Sequence, residues 1–358
     1  MYCQYTSLLD STFSDQGIDL LQIGRGSSNS YTAAIQSSGR IILIGKIDQG
    51  ISVVGINNSD GEIDTTFGEI GFGNCVLNGD GFGYPTVGVI FDGAIQNDDK
   101  ILVCGYSNND DDFDDRDFFV VRFKENGIID SSFSEDGVFI LNMTGPGDPS
   151  ADWAYSISVL PDGKILVGGT SKHGYTSPVI FKLTSAGILD TLFGTEGIIK
   201  IEGLDQYVSY ADIIVLEDEK IILTGEADSN YPGFIRFLPS GEIDSTFGVN
   251  GIKIDSFTIT TPFIRSAVST NGNKFLTASW SSYLMINKYL GDGQKDSSFY
   301  TYILDLFPGN EYPTEIICDS TGNIYFSFYA STNSDYYIGK LFSDGTIDSN
   351  FGVDGIVT

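Results

Sequence analysis

The sequence predicts an all-β fold assembled from repeated four-strand units, and three observations carry that prediction. A nine-residue block recurs seven times: Leu9 to Gly17, Ile63 to Gly71, Ile129 to Gly137, Leu189 to Gly197, Ile243 to Gly251, a decayed copy at Lys295 to Tyr300, and Ile347 to Gly355. Between the copies lie apolar runs of four to six residues bounded by turn residues, the pattern of strands, and no window sustains a 3.6-residue period. The composition agrees, because 25 Phe and 19 Tyr with 43 Gly suit pleated strands joined by tight turns.

The motif aspartates stand at 10, 64, 130, 190, 244, 296 and 348, with separations of 54, 66, 60, 54, 52 and 52. The mean of about 56 residues suits a four-stranded sheet better than a helical repeat. Stacked repeats share a continuous core, so the 358 residues are read as one domain, 1–358, of about six repeats.

Unit four shows the elements in order. After the motif glycine come Ile198-Ile199-Lys200-Ile201, then Ile213-Ile214-Val215-Leu216. The turn Glu217-Asp218-Glu219 leads to Ile221-Ile222-Leu223-Thr224-Gly225, and Phe234-Ile235-Arg236-Phe237 runs on into the next motif. The hairpin between second and third strands is clearest at Pro161-Asp162-Gly163-Lys164, where Asp-Gly accepts positive φ.

Two basic positions repeat. One opens the third strand: Arg40, Lys100, Lys164, Lys220 and Lys274, with Asn323 the exception. The other stands eight residues before the motif aspartate: Arg122, Lys182, Arg236, Lys288 and Lys340, with Ile56 the exception. Ten of 19 basic residues thus obey the period, which argues for structure rather than ligand chemistry. The second set is expected to pair with acidic groups of neighbouring units, the motif aspartates among them. Within the motif, the aspartate is expected to hold a turn by accepting backbone N–H groups. The phenylalanine is expected to plug the gap between units.

On these residues the chain resembles the delta-60 repeat family. The marks are Leu-Asp-Thr-Leu-Phe-Gly-Thr-Glu-Gly at 189–197 and the preceding Asp-Gly-Lys-Ile-Leu-Val-Gly-Gly at 162–169. The likeness runs from about residue 8 to 358; Ser14 and Ser134 replace the first glycine, and the 295–300 copy lacks both glycines. It implies a β-propeller of a secreted or cell-surface bacterial protein, and brings no catalytic residues. Six complete units predict six blades of four antiparallel strands, with a seven-bladed form carrying an incomplete blade as the alternative. Tyr2 to Tyr5 reads as a leftover fourth strand and Gly355 to Thr358 as a leftover first strand, whose pairing is expected to close the ring.

Net charge is −29, with 48 acidic against 19 basic residues, so nucleic acid and anionic membrane surfaces are excluded as partners. No apolar run approaches the roughly 18 residues of a membrane span. The start, Met1-Tyr2-Cys3-Gln4, shows no complete signal peptide. Cys3, Cys75, Cys104 and Cys318 are scattered, and with a single histidine no zinc site is expected. Cys104 and Cys318 are expected as buried thiols.

The segment Ser107 to Asp117 is read as an acidic loop joining the third and fourth strands of unit two. Its alternating Asp110, Asp112 and Asp114 offer hard oxygens of the kind calcium takes. The EF-hand pattern fails for want of its glycine and terminal glutamate, and a solvated acidic loop is the alternative. The glycine-rich stretches at 78–83 and 144–148 lack a following lysine and read as surface loops. His173 has no second histidine beside which to act and reads as an exposed turn residue. Tyr31, Phe91, Trp153, Tyr155, Tyr210, Phe263 and Tyr312 enter second strands; they are read as inter-unit core or as a cluster for stacking on sugars.

The functional expectation is a non-enzymatic binding or scaffold module that engages a protein or glycan partner through loops on a rigid frame. The alternatives are a carbohydrate-active hydrolase or lyase and a structural spacer in a surface assembly.

Overall fold

The computed structural model describes residues 28–47, 50–69, 71–75, 86–109, 112–144, 150–202, 212–227, 231–255, 265–269, 272–280, 283–305 and 311–357. They form six four-stranded antiparallel sets, each in simple chain order. The first is β1 (Ser28–Ile35), β2 (Ile41–Ile47), β3 (Gly50–Ile56) and β4 (Phe72–Cys75). The second is β5 (Thr86–Ile95), β6 (Ile101–Asn109), β7 (Asp112–Phe123) and β8 (Val138–Leu141), and the third is β9 (Ala151–Val159), β10 (Ile165–His173), β11 (Tyr175–Leu183) and β12 (Ile198–Lys200). These three belong to one compact part, residues 1–200.

The other part, residues 201–358, holds the remaining three. They are β13 (Asp212–Val215), β14 (Ile221–Ala227), β15 (Tyr231–Phe237) and β16 (Ile252–Ile254); β17 (Arg265–Ser269), β18 (Lys274–Trp280), β19 (Leu284–Leu290) and β20 (Tyr302–Leu304); and β21 (Glu311–Cys318), β22 (Ile324–Ala330), β23 (Asp335–Leu341) and β24 (Ile356–Val357).

The strand after each motif pairs backwards. β16 runs antiparallel to β15, with Ile235 opposite Ile252, and β24 pairs with β23 through Ile338 and Val357. Each sequence repeat therefore straddles two sheets: what opens the repeat is the outer strand of the sheet before it. This corrects the reading of the end of the chain as a leftover first strand, since Ile356 and Val357 form the fourth strand of the sixth sheet. Six sets among the described residues are compatible with six blades. Tyr2 to Tyr5, on which the seven-bladed alternative turns, lies outside the described residues.

Cores form where consecutive sheets face each other. Ile42, Ile44 and Val53 of the first sheet meet Ile101, Val103, Phe119 and Val121 of the second. Leu102, Phe118 and Val120 on the opposite face of the second sheet meet Ile165, Val167, Val179 and Phe181 of the third. In the other part, Ile222 and Phe234 meet Phe275 and Tyr289, and Leu276, Ala278 and Ile286 meet Ile324, Phe326 and Phe328. A middle strand is thus covered on both faces, which is why burial runs unbroken from Ile165 to Ser171 in β10 and from Phe275 to Ser279 in β18 rather than alternating. Burying each such side chain contributes about 1.5–3 kcal/mol.

Candidate functional site

Two features carry ionisable chemistry: a node repeated at the described motifs, and the β6–β7 hairpin, whose β7 is the longest strand among the described residues.

The node is clearest around Asp244. Its Oδ1 accepts the Thr246 N–H at 3.1 Å and the Thr246 hydroxyl, while its carbonyl accepts the Phe247 N–H at 3.0 Å. Its Oδ2 faces Arg236 Nε at 3.0 Å and Nη2 at 2.9 Å, with Lys220 Nζ at 3.8 Å. Both repeating basic positions therefore converge on one aspartate of their own unit. The same pattern joins Arg122 and Lys100 to Asp130 at 2.9 and 3.7 Å. Lys164 and Lys274 reach Asp190 and Asp296 at 3.0 and 2.9 Å. The expected pairing of the second basic set with motif aspartates holds at Arg122, Arg236 and Lys340, but the aspartate is the unit's own and not a neighbour's. The turn between strand and motif folds the chain back, so that a spacing of eight residues becomes a direct contact.

What the neighbour supplies is a carbonyl. Arg122 Nη1 donates to Ser185 O, Arg236 Nη1 to Gly291 O and Lys288 Nζ to Ser343 O, each two residues before the next unit's turn glycine. The cation also covers the motif ring: Arg122 lies 4.6 Å from the Phe133 centroid and Arg236 4.8 Å from that of Phe247. The ring in turn fills the space a side chain would take at that turn glycine. A Cβ on Gly293, at φ +75°, would stand 2.6 Å from Phe247 Cζ. Phe67, Phe133, Phe193 and Phe247 are fully buried, so the phenylalanine is a seam plug, as its recurrence predicted.

The exceptions compensate. Unit one has Ile56 at the second basic position, and there Arg40 alone binds Asp64 at 2.8 Å, covers Phe67 at 5.3 Å and donates to Glu125 O at 3.3 Å. Unit six has Asn323 at the first position, and Lys340 holds Asp348 at 2.9 Å. Ser134 replaces the first motif glycine and takes the left-handed conformation itself, at φ 47°.

These partners set the proton affinity of the aspartates. For Asp296 the Ser298 hydroxyl is the largest influence; with Lys274 it overcomes the opposing effect of burial and holds the carboxyl at about 2. At Asp244 and Asp130 burial works to raise the value, but the Thr246 or Ser132 hydroxyl and N–H and the arginine outweigh it, and both are lowered.

The extended hairpin is β6–β7. The run from Ser107 to Asp117, read from sequence as a loop, continues the strand ladder: Ser107 faces Asp117, Asn108 faces Arg116 and Asn109 faces Asp112. The Arg116 guanidinium lies 5.1 Å from the Tyr106 ring and 5.3 Å from that of Trp153. The Arg116 N–H donates to Ser150 O at 2.7 Å. Asp115, Asp117 and Asp152 act on one another electrostatically. Of the candidate calcium residues, Asp110 and the side chains of Asp112 and Asp114 lie outside the described residues, although the backbone of Asp112 to Asp114 belongs to β7. Among the described residues no three acidic, cysteine or histidine side chains stand close enough together to hold a metal ion.

The aromatic residues divide. Phe91 and Tyr155 pair across the second and third sheets at 4.7 Å, and Tyr312 meets Trp280 at 4.4 Å. All four are half-buried, at the margins of the cores rather than in them. Tyr31 is 40% exposed, and Tyr210 and Phe263 lie outside the described residues. His173 is an exposed residue ending β10. Cys75 and Cys104 are buried thiols and Cys318 is half-buried; burial pushes the thiols of Cys75 and Cys318 up to about 11. No helix among the described residues is long and apolar enough to cross a membrane.

Residues 96–133, 160–193 and 216–247 match a family described as a domain of unknown function (DUF5122) beta-propeller. Each matched stretch runs from the hairpin turn before a third strand to the motif phenylalanine, so it spans the node. The fold is an all-β propeller. A protein of unknown function from Dyadobacter fermentans is similar at a TM-score of 0.53 and 10% identity, over 84% of this chain and 90% of that one. A puromycin hydrolase is similar at a TM-score of 0.52 and 12% identity, over 88% of this chain. The match spans 44% of that enzyme's length, and the likeness is one of fold. No curated protein matches the chain in sequence.

Proposed function

We propose that the chain is a delta-60-type repeat propeller acting as a non-enzymatic binding or scaffold module of a secreted or cell-surface bacterial protein. Its partner is a protein surface of basic character, met by the β6–β7 hairpin. The observation that supports this is the departure of that hairpin from the repeat. β7 has 12 residues where β11 has 9 and β3, β15, β19 and β23 have 7, and aspartates stand at 110, 111, 112, 114, 115 and 117. The nodes turn their charges on one another inside seams, whereas this run gathers six aspartates outside the repeated position. Rigid frames with one elaborated hairpin are a common way of presenting a recognition surface.

The test replaces residues 109–114 by a two-residue turn and compares retention of surface-fraction proteins and of an array of glycans. Loss of a protein partner on shortening, with binding that weakens as salt rises, is the expected result. Full retention by the shortened chain overturns the reading. Turnover of a polysaccharide would move the protein to the hydrolase or lyase alternative, and retention of nothing by either form to the spacer.

A further inference from the structure

The tip of the β6–β7 hairpin is tied to the next sheet by little backbone. Arg116 and Ala151 form a single parallel bridge, and among the described residues this bridge joins the second and third sets into one eight-stranded sheet. On one face of β7 the Arg116 guanidinium is clasped by Tyr106 and Trp153. Strand alternation turns Asp115 and Asp117 to the other face, toward Asp152 of β9.

Asp152 is fully buried. Its Oδ2 accepts the Met143 N–H and the Ser150 hydroxyl, both at 3.1 Å, but its Oδ1 is enclosed without a donor, as is Asp117 Oδ1. Neither Asp117 nor Asp152 forms an ion pair among the described residues. The surroundings are neutral: Ser107 and Asn108 from β6, Asn142 after β8, Ser150 before β9, and Ser171 from β10, which stands opposite Asp152. The charged groups near it are Asp115 and Arg116 on β7 itself and the exposed Lys172 and His173 that end β10. Carboxylates enclosed together cannot all ionise without repulsion, and they take up protons as a group.

We propose that this carboxylate cluster is a proton-operated latch. When it is protonated the hairpin closes on β9; when it is ionised the hairpin is pushed off. Burial, then repulsion from Asp115 and Asp152, pushes Asp117 up to about 6, and burial raises Asp152 as well. Since the closed form binds its proton more tightly than the open one, closure is favoured below the ordinary carboxylate range. It is progressively lost as pH rises through about 6. For one group shifted this far, the closing equilibrium falls about tenfold between pH 5 and pH 7.5.

The test is amide hydrogen exchange on the full chain at pH 5.0 and 7.5, corrected for intrinsic rates. Protection of residues 112–118 and 150–153 is expected to fall about tenfold at the higher pH, while that of β14 stays constant. Asp117→Asn is expected to hold the hairpin closed at both values. Equal protection of the wild-type hairpin at both pH values overturns the proposal. If the variant fails to fold, a carbon-13 titration of the wild-type aspartate carboxyls decides: a midpoint near 6 for Asp117 supports the latch, and one near 4 refutes it. The measurement reads the hairpin and not a partner, so it stands whether or not the binding function does.

Discussion

Asp244 and Asp152 are about equally hidden from water, at 4% and 0% exposure, yet they hold protons in opposite senses. Asp244 has a hydroxyl, a backbone N–H and an arginine to meet its charge, and is lowered in spite of burial. Asp152 has the hydroxyls of Ser171 and Ser150 and the Met143 N–H but, among the described residues, no cation, and has Asp115 nearby; burial dominates and it is raised. Burial alone therefore does not say whether a carboxylate serves the fold. The partners do: the carboxylate at the repeated position meets a cation, and Asp152 does not.

The comparison is broken most severely by removing the cation from a node. Arg236→Met leaves Asp244 buried without its main partner and is expected to destabilise the protein by about 3–5 kcal/mol, read by urea unfolding. Binding measured below the transition should be unchanged. At the other pole, Asp117→Asn removes a charge that the fold does not match. It is expected to stabilise the protein by about 1–3 kcal/mol at pH 7.5 and to have little effect at pH 4, where the wild-type carboxyl in the folded state is already protonated.

The acid limb tests the first pole from the solvent side. Asp296 lies at about 2 in the folded protein, below its unfolded value. Its contribution of about 2 kcal/mol is thus fully present above the ordinary carboxylate range and is lost as pH falls through 2. Asp296→Asn should be less stable than wild type by that amount at pH 6 and converge with it near pH 2 in thermal melts. The smallest effect belongs to Lys220, 3.8 Å from Asp244 and partly exposed. Lys220→Met is expected to cost less than about 1 kcal/mol, and a cost as large as that of Arg236→Met would mean that the two cations share the node equally.

Strands and seams were legible because their causes are local or periodic. Ile221 to Gly225 reads as a strand from its own residues, and Phe247 reads as a plug because its spacing recurs. The partner of Arg236 was half legible: a motif aspartate was expected, but not its own unit's, because eight residues along the chain look remote until the turn at Gly241 folds them together, and a carbonyl such as Gly291 O has no side-chain identity to read. Ser107 to Asp117 misled for a different reason. An acidic, apolar-poor run has the composition of a loop, but β6 supplies a pairing edge and Tyr106 with Trp153 supplies a slot for Arg116. Both are tertiary facts. The aspartates of that segment stood out in the sequence, but what raises Asp117 is burial first, then Asp115 and Asp152, the last some 35 residues away on β9.

The backward pairing of the strand after each motif bears on how such a chain can be lengthened or cut. A duplicated segment that begins and ends at the motif carries the outer strand of one sheet and three strands of the next, and after insertion its first strand completes a sheet begun by its predecessor. Chains divided between sheets would keep each motif ring with the cation that covers it, Phe247 with Arg236, whereas a cut at the motif would part them. For modular construction the right scissor point therefore lies between sheets, out of phase with the repeat as the sequence spells it.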